Sequence, residues 1–342
     1  MILARYDRSQ VAAILELRDF GLYCPAGDYY IDPWHPVERA VVTHAHSDHV
    51  FPGCRSYLAA APGEALLRAR LGADAAIETL AYGERISLGS VTVSLHPAGH
   101  IAGSAQVRVE SRGEVWVVSG DYKLAPDPTC VPFEPIRCHT FVTESTFGLP
   151  IFRWPEMNEV MSEIHAWWRA NQESGRPSVL FGWPMGKLQR VLSALHTDVG
   201  PVYAHGAVER ISRIYRESGI ALPATKPPSA DTKSALILAP PNCQGSPWMK
   251  RFGAASTALV SGWMRIRGTR RRRSLDRGFV LSDHADWPAL LTAIDESHAA
   301  TVWVAHGFRA PLVRWLQEHG REAVELPMRQ TAPQPEPEDC EP

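Results

Sequence analysis

The chain has 342 residues, long for one domain and right for two, and its 45% hydrophobic and 21% charged content is that of an ordinary globular protein. A net charge of −2 from 35 basic and 37 acidic side chains excludes a protein that is basic overall, so any binding of nucleic acid has to rest on a local basic surface. No run of about 18 apolar residues is present, the N-terminus has no apolar leader, and the six cysteines (Cys24, Cys54, Cys130, Cys138, Cys243 and Cys340) form no Cys-x-x-Cys pair; no membrane contact, no zinc ribbon and a reducing, cytoplasmic location are therefore expected.

Ala40-Val41-Val42 is an apolar lead into His44-Ala-His46-Ser-Asp48-His49. Three imidazoles and a carboxylate within six positions suit divalent metal far better than a core. His44 and His46, two apart, and the adjacent Asp48 and His49 cannot all face one ion, but they can serve two ions side by side.

Short β-rich runs, each followed by an acid or a ligand type, recur along the chain. Val91, Val93 and Leu95 precede His100. Val115, Val117 and Val118 precede Asp121, and Phe141-Val142 precedes Glu144. Phe279-Val280-Leu281 precedes His284, and Val302-Trp303-Val304 precedes His306. Runs of this length with β-branched residues predict buried strands. Reactive groups at the ends of such strands, on loops held by a rigid sheet, are the expected placement for a site.

Between Gly148 and His284 the pattern turns helical. Val160, Ile164 and Trp167 share one face, as do Leu188, Val191, Leu192 and Leu195, with Pro-rich breaks at 222–228 and 240–247. Residues 156–280 therefore read as a second domain inserted into a first one made of 1–155 and 281–328. Residues 329–342 hold four Pro and four acids and are expected to be a disordered tail. Residues 265–277 hold seven arginines (Arg265, Arg267, Arg270, Arg271, Arg272, Arg273 and Arg277) against one acid, Asp276. That run is a candidate phosphate-binding surface close to His284. Lys187 and Arg190, one helical turn apart, are weaker candidates for phosphate contact, and Ser145, Thr146 and Ser282 beside the ligand types are weaker still.

The ordered set His-x-His-x-Asp-His, His100 and Asp121 resembles the metallo-β-lactamase superfamily. Glu144 in Glu-Ser-Thr-Phe-Gly, His284 in Ser-Asp-His-Ala-Asp and His306 in Ala-His-Gly resemble motifs A, B and C of its nucleic-acid-processing β-CASP branch. The resemblance spans residues 32–307. The compact length and the Arg-rich approach to motif B are similar to bacterial ligase-associated DNA exonucleases. It implies an α/β fold, with an αββα sandwich carrying an inserted β-CASP α/β cap, and a cleft between the two for nucleic acid. It implies two divalent ions, zinc in the first instance and manganese as the alternative. His44, His46 and His100 would hold one ion and Asp48, His49 and His306 the other, with Asp121 bridging them and Asp48 also serving catalysis. Two ions about 3.5–4 Å apart can clamp both sides of a phosphodiester displacement. His284, outside that ligand list, would be the general acid, and Glu144 would orient it. Asp32 and Asp286 would brace the site. His205, also in Ala-His-Gly, precedes motif B and is out of order. His96, His139, His165, His196 and His298 read as ordinary loop or surface histidines.

The expected activity is a DNA exonuclease of repair acting on single-stranded or end-bearing DNA, from a 5′-phosphorylated end, working with a DNA ligase and a helicase. An RNA-processing ribonuclease is the alternative. A small-molecule hydrolase or a ligand-depleted scaffold fits less well, because the A, B and C motifs and all seven ligand positions are filled.

Overall fold

The computed structural model describes residues 13–228, 232–266, 268 and 274–327. Arg267, Arg270, Arg271, Arg272 and Arg273, and the tail 329–342, lie outside the described residues. No described helix is long and apolar enough to cross a membrane.

Strands β1 (Glu16–Arg18), β2 (Gly21–Cys24), β3 (Tyr29–Ile31), β4 (Arg39–Val41), β5 (Ser56–Ala60) and β6 (Ile77–Leu80) form a six-stranded sheet in that spatial order. Helix α1 (Glu64–Leu71) links its last two strands. The next strands are β7 (Arg85–Leu88), β8 (Val91–Pro97), β9 (Ala105–Ser111), β10 (Glu114–Val118) and β11 (Thr140–Thr143). They belong to a second sheet that the C-terminal part of the chain completes. Alternate residues of β8 and β9 face the first sheet: Val93, Leu95, Val107 and Val109 pack with Leu22, Ile31, Val41 and Leu58. This is the period of two that the sequence carries.

After β11 the chain leaves the sandwich. Helix α2 (Met157–Glu173), β12 (Ser178–Phe181), α3 (Lys187–Ser193), β13 (Val202–Ala204), α4 (Gly206–Glu217), β14 (Leu236–Ala239), β15 (Ser256–Val260) and β16 (Arg277–Phe279) build a third sheet, ordered β13-β14-β12-β15-β16. All its pairings are parallel. A parallel sheet is covered on both faces, so its strands read as continuous apolar runs. Val160, Ile164 and Trp167 of α2 and Leu188, Val191 and Leu192 of α3 pack on one face, as their spacing predicts. Phe252 and Leu275 pack on the other. The predicted strand at Phe279-Val280-Leu281 reaches only Phe279. That residue pairs with Val260 at the edge of this third sheet and not within the sandwich.

The chain then returns through α5 (Trp287–Glu296), β17 (Thr301–Val304), α6 (Arg309–Glu318) and β18 (Glu322–Glu325), giving a seven-stranded second sheet, β18-β17-β11-β10-β9-β8-β7. Leu290, Ile294, Leu312 and Leu316 of the two helices cover Val117, Phe141, Val302 and Val304 on its outer face. The layers are αββα. One apolar cluster runs from the outer face of the first sheet (Ala40, Val42) through Ile101 and Ala102 into Met185, Leu188 and Leu192 of the insertion. Sandwich and cap are thus packed together next to the strand ends that carry the site.

Candidate metal centre

Five strand ends converge. Beyond β4 lie Thr43 and His44; beyond β8, β10, β11 and β17 lie His100, Asp121, Glu144 and His306. Two glycines are required by the closeness of this approach. A Cβ on Gly120 (φ +57°) would sit 2.7 Å from Thr43 Cβ, and one on Gly307 (φ +57°) would sit 2.2 Å from the Ser145 carbonyl oxygen. His306 itself has φ +51°, a left-handed conformation that a non-glycine residue holds only when its surroundings impose it. Ser145 imposes it here, because its hydroxyl donates to the Ala305 carbonyl at 3.2 Å and to the His306 carbonyl.

Hydrogen bonds to obligate acceptors fix which imidazole nitrogen carries the proton. His46 Nε2 donates to the Met185 carbonyl at 3.2 Å, so its Nδ1 is the lone-pair nitrogen. His100 Nδ1 donates to the Asp283 carbonyl at 2.8 Å, leaving Nε2 free. The freed His46 Nδ1 lies 3.1 Å from both His44 Nε2 and His100 Nε2. Asp121 Oδ2 lies 3.6 Å from His44 Nε2 and 3.7 Å from His100 Nε2. Three lone-pair nitrogens facing one another in a buried site repel unless a cation sits among them, and the donor set suits zinc. Burial, then neighbouring imidazoles, lowers His44 well below the usual histidine range and His100 to about 3. Both are therefore neutral, as ligands must be.

A second group adjoins the first. His49 Nδ1 donates to Asp32 Oδ2 at 2.7 Å, which turns His49 Nε2 toward Asp121 Oδ2 at 3.4 Å and Asp48 Oδ2 at 3.9 Å. The His306 ring lies 5.3 Å from that of His49, centre to centre. Burial opposes charge on His49, but Asp121, Asp48 and Asp32 outweigh it and raise its pKa well above normal. The same surplus of negative charge suits a second cation. Asp32 also accepts from the Thr43 amide at 2.8 Å and from its hydroxyl at 2.6 Å, so it holds both the ligand loop and the His49 tautomer. Asp32→Asn is expected to weaken metal binding by about 10- to 100-fold, read by chelator competition, most strongly at the group that contains His49.

Next to these groups, His284 Nδ1 donates to Glu144 Oε1 and Oε2 at 3.1 and 3.0 Å. Glu144 also accepts from the Tyr122 amide at 2.9 Å. Burial disfavours the charged imidazole, but Glu144 and Asp121 prevail and raise His284 to about 9. Asp286 caps α5 through the Ala289 amide at 3.0 Å and takes the Trp154 amide at 2.9 Å. The Trp154 indole in turn donates to the His284 carbonyl at 2.9 Å, so Asp286 steadies His284 from behind.

The candidate nucleic-acid contacts are placed differently from one another. Arg265 is exposed, with Nε donating to the Ile151 carbonyl at 3.2 Å. Lys187 is buried in an ion pair with Asp283 and does not present its ammonium to solvent. Ser145 spends its hydroxyl on the turn at His306. Ser282 is buried and accepts from the His284 amide at 3.1 Å. His205 caps α4, accepting from the Ala207 amide at 3.1 Å. His165, expected on a surface or loop, is buried on α2 and stacks on His196 at 4.4 Å. Sequence reading passed over Thr43, Met185 and Asp283. Thr43 and Asp283 adjoin the motif histidines and so carried a signal, whereas Met185 acts through its backbone carbonyl and carried none.

An αββα sandwich with a parallel cap, and this histidine–aspartate array at its strand ends, defines a metallo-β-lactamase fold with a candidate site for divalent metal. The chain belongs to the β-CASP branch of that superfamily. It is 32% identical over 334 residues to a probable DNA ligase of Opitutus terrae, a match covering 94% of this chain and 33% of that protein. It is 31% identical over 140 residues to RNase aCSPSF2 of Saccharolobus solfataricus, covering 40% of this chain and 28% of that protein. It is also 32% identical over 76 residues to the endoribonuclease ysh1 of Aspergillus fumigatus, covering 21% of this chain and 9% of that protein. The chain thus spans about a third or less of these relatives. A solved protein of unknown function from Enterococcus faecalis V583 shares the fold, with TM-score 0.58 and 12% identity over 85% of this chain and 79% of that one. No family model matches the chain.

Proposed function

We propose that the protein is a two-metal phosphodiester hydrolase that removes nucleotides stepwise from DNA ends during repair, with a 5′-phosphate preferred. The observation that carries this reading is the convergence of His44 Nε2, His46 Nδ1 and His100 Nε2 on Asp121, beside the Glu144–His284 pair. His44, His46 and His100 would hold one ion and Asp48, His49 and His306 the other, with Asp121 shared between the two groups. When bound, the two ions, zinc first and manganese as the alternative, supply positive charge at the phosphate and a water of near-neutral pKa.

The protein's own groups do the rest. Glu144 keeps the His284 Nδ1 proton, so Nε2 is the nitrogen that faces the substrate. The oxygen of water adds to phosphorus as the bond to the departing nucleotide breaks, the leaving oxygen takes the Nε2 proton of His284, and the proton released by the water passes to solvent, from which His284 is reprotonated.

DNA is favoured because a segment similar to nearly the whole chain forms part of a protein named as a probable DNA ligase. That same match supports work alongside a ligase; a helicase partner and a cytoplasmic location belong to the same proposal. The match to RNase aCSPSF2 over 40% of the chain carries the second reading, an RNA-processing ribonuclease. Linear and closed circular single strands, each as DNA and as RNA, separate the two. Loss of linear DNA alone is expected. Rapid cutting of the circle makes the enzyme an endonuclease, and degradation of RNA alone moves it to the second reading.

Arg265, Arg267 and Arg270 to Arg273 are the proposed phosphate contacts, on the strength of their charge and their place in the sequence before His284. Replacing Arg270–Arg273 with Ala is expected to lower the log–log salt slope of duplex binding by about 0.9 per lost phosphate contact. An unchanged slope assigns the run to solvent.

A further inference from the structure

Two of the three imidazoles of the first site take their orientation from segments of the cap and its return. Met185, whose carbonyl holds His46, lies in the loop between β12 and α3. Asp283, whose carbonyl holds His100, lies just beyond β16 and next to His284. These two segments, about a hundred residues apart in the chain, are pinned to each other by Lys187, two residues beyond Met185, whose ammonium donates to Asp283 Oδ1. Side chains at both ends of the pair are almost sealed from water, at 4% and 2% exposure.

A second cation of the same helix reinforces the join. Arg190 Nη1 donates to the Ser282 carbonyl at 2.5 Å. Its guanidinium Nε lies 3.3 Å from Asp127 Oδ2. Ser282 in turn accepts from the His284 amide. Gly186 (φ +89°) lets the loop turn here, since a Cβ on it would meet Ile101 Cγ2 at 2.3 Å.

We infer that Lys187 is a positioning residue: by tying Asp283 to the Met185–Lys187 segment it sets the ring orientation of His46 and His100 and the place of His284, and so makes the first ion's site dependent on the cap. The supports of the second site come from elsewhere. Asp32 holds His49 and Ser145 holds the His306 turn, both from the sandwich, while Thr43 on Asp32 reaches His44 at 3.1 Å, the one imidazole of the first site that the cap does not orient. The two ions therefore differ in what holds their ligands. The burial of the pair makes the dependence strong. Asp283 Oδ2 has no hydrogen-bond partner among the described residues, and a buried carboxylate stripped of its cation is costly, whereas removal of both charges is far less so.

This inference rests on the two-ion reading, and the test separates the two. Metal-free full-length protein is titrated with zinc against a chromophoric chelator, and with cobalt by visible absorption, for the wild type, Lys187→Met and the Lys187→Met/Asp283→Asn double variant. Thermal unfolding is followed in parallel. The wild type is expected to take up two ions. Lys187→Met should lose about 10- to 100-fold in affinity for one ion and keep the other, and the double variant should recover most of that loss. Two unchanged affinities in Lys187→Met overturn the inference while the two-ion reading stands. Equal weakening of both ions, or a loss that Asp283→Asn does not relieve, overturns it too and makes the pair a general stabiliser. Fewer than two ions in the wild type overturns both.

Discussion

Asp121→Ala is expected to be the most damaging single substitution in this protein. Its Oδ2 lies between the two groups, 3.6 Å from His44 Nε2 and 3.7 Å from His100 Nε2 in one and 3.4 Å from His49 Nε2 in the other. It is also 3.8 Å from His284 Nδ1. The buried imidazoles hold its carboxyl well below the usual range against the opposing effect of burial, so it is ionised at any working pH. On the proposed two-ion reading the alanine variant would remove a ligand from both ions, and it leaves His44, His49 and His100 facing one another with less negative charge between them. Elemental analysis should find fewer than two ions per chain after reconstitution. The fall in kcat should exceed that of any acid–base variant. An Asp121→Ala protein that keeps two ions and most of its activity would remove the bridging role altogether.

The second large effect is expected at His284. In the account above it gives a proton to the leaving oxygen and holds no ion. His284→Ala should therefore lower kcat by roughly 10²–10⁴-fold with metal content at the wild-type level. Glu144→Gln should act in the same direction and less severely, since the amide oxygen still takes the Nδ1 proton but no longer favours the charged ring. Metal lost from His284→Ala would make His284 a ligand and end the acid assignment. The geometry makes this a sharp distinction, because His284 lies close to His100, with ring centres 4.6 Å apart.

The grouping of His44, His46, His100 and Asp121 was legible because candidate ligands cluster at strand ends. Four candidate ligands stand within six residues at His44–His49, and the others each follow a short β-branched run. The chemistry of such a site forces residue types that few other environments tolerate, so the chain carries it openly. The packing behind the site was not legible. Lys187 read as a candidate phosphate contact because its spacing to Arg190 is that of a helical turn; its partner Asp283 is 96 residues away, and only the fold brings the two together. Ser145 read as a phosphate donor and instead holds the left-handed turn at His306, a backbone demand that no side-chain pattern reports. Phe279-Val280-Leu281 read as a buried strand because three apolar residues carry no period that separates a strand from a buried connection. Pairing with Val260 puts only Phe279 of the three in a strand, at the edge of the inserted sheet.

Cleavage of 5′-end-labelled linear DNA, measured while zinc is returned to the metal-free protein in steps, tests the central claim most directly. The account predicts almost no product up to one ion per chain and a steep rise as the second ion binds, in step with the occupancy found by elemental analysis. Full activity with a single ion, or two ions bound with no phosphodiester cleaved in DNA or RNA, would contradict it.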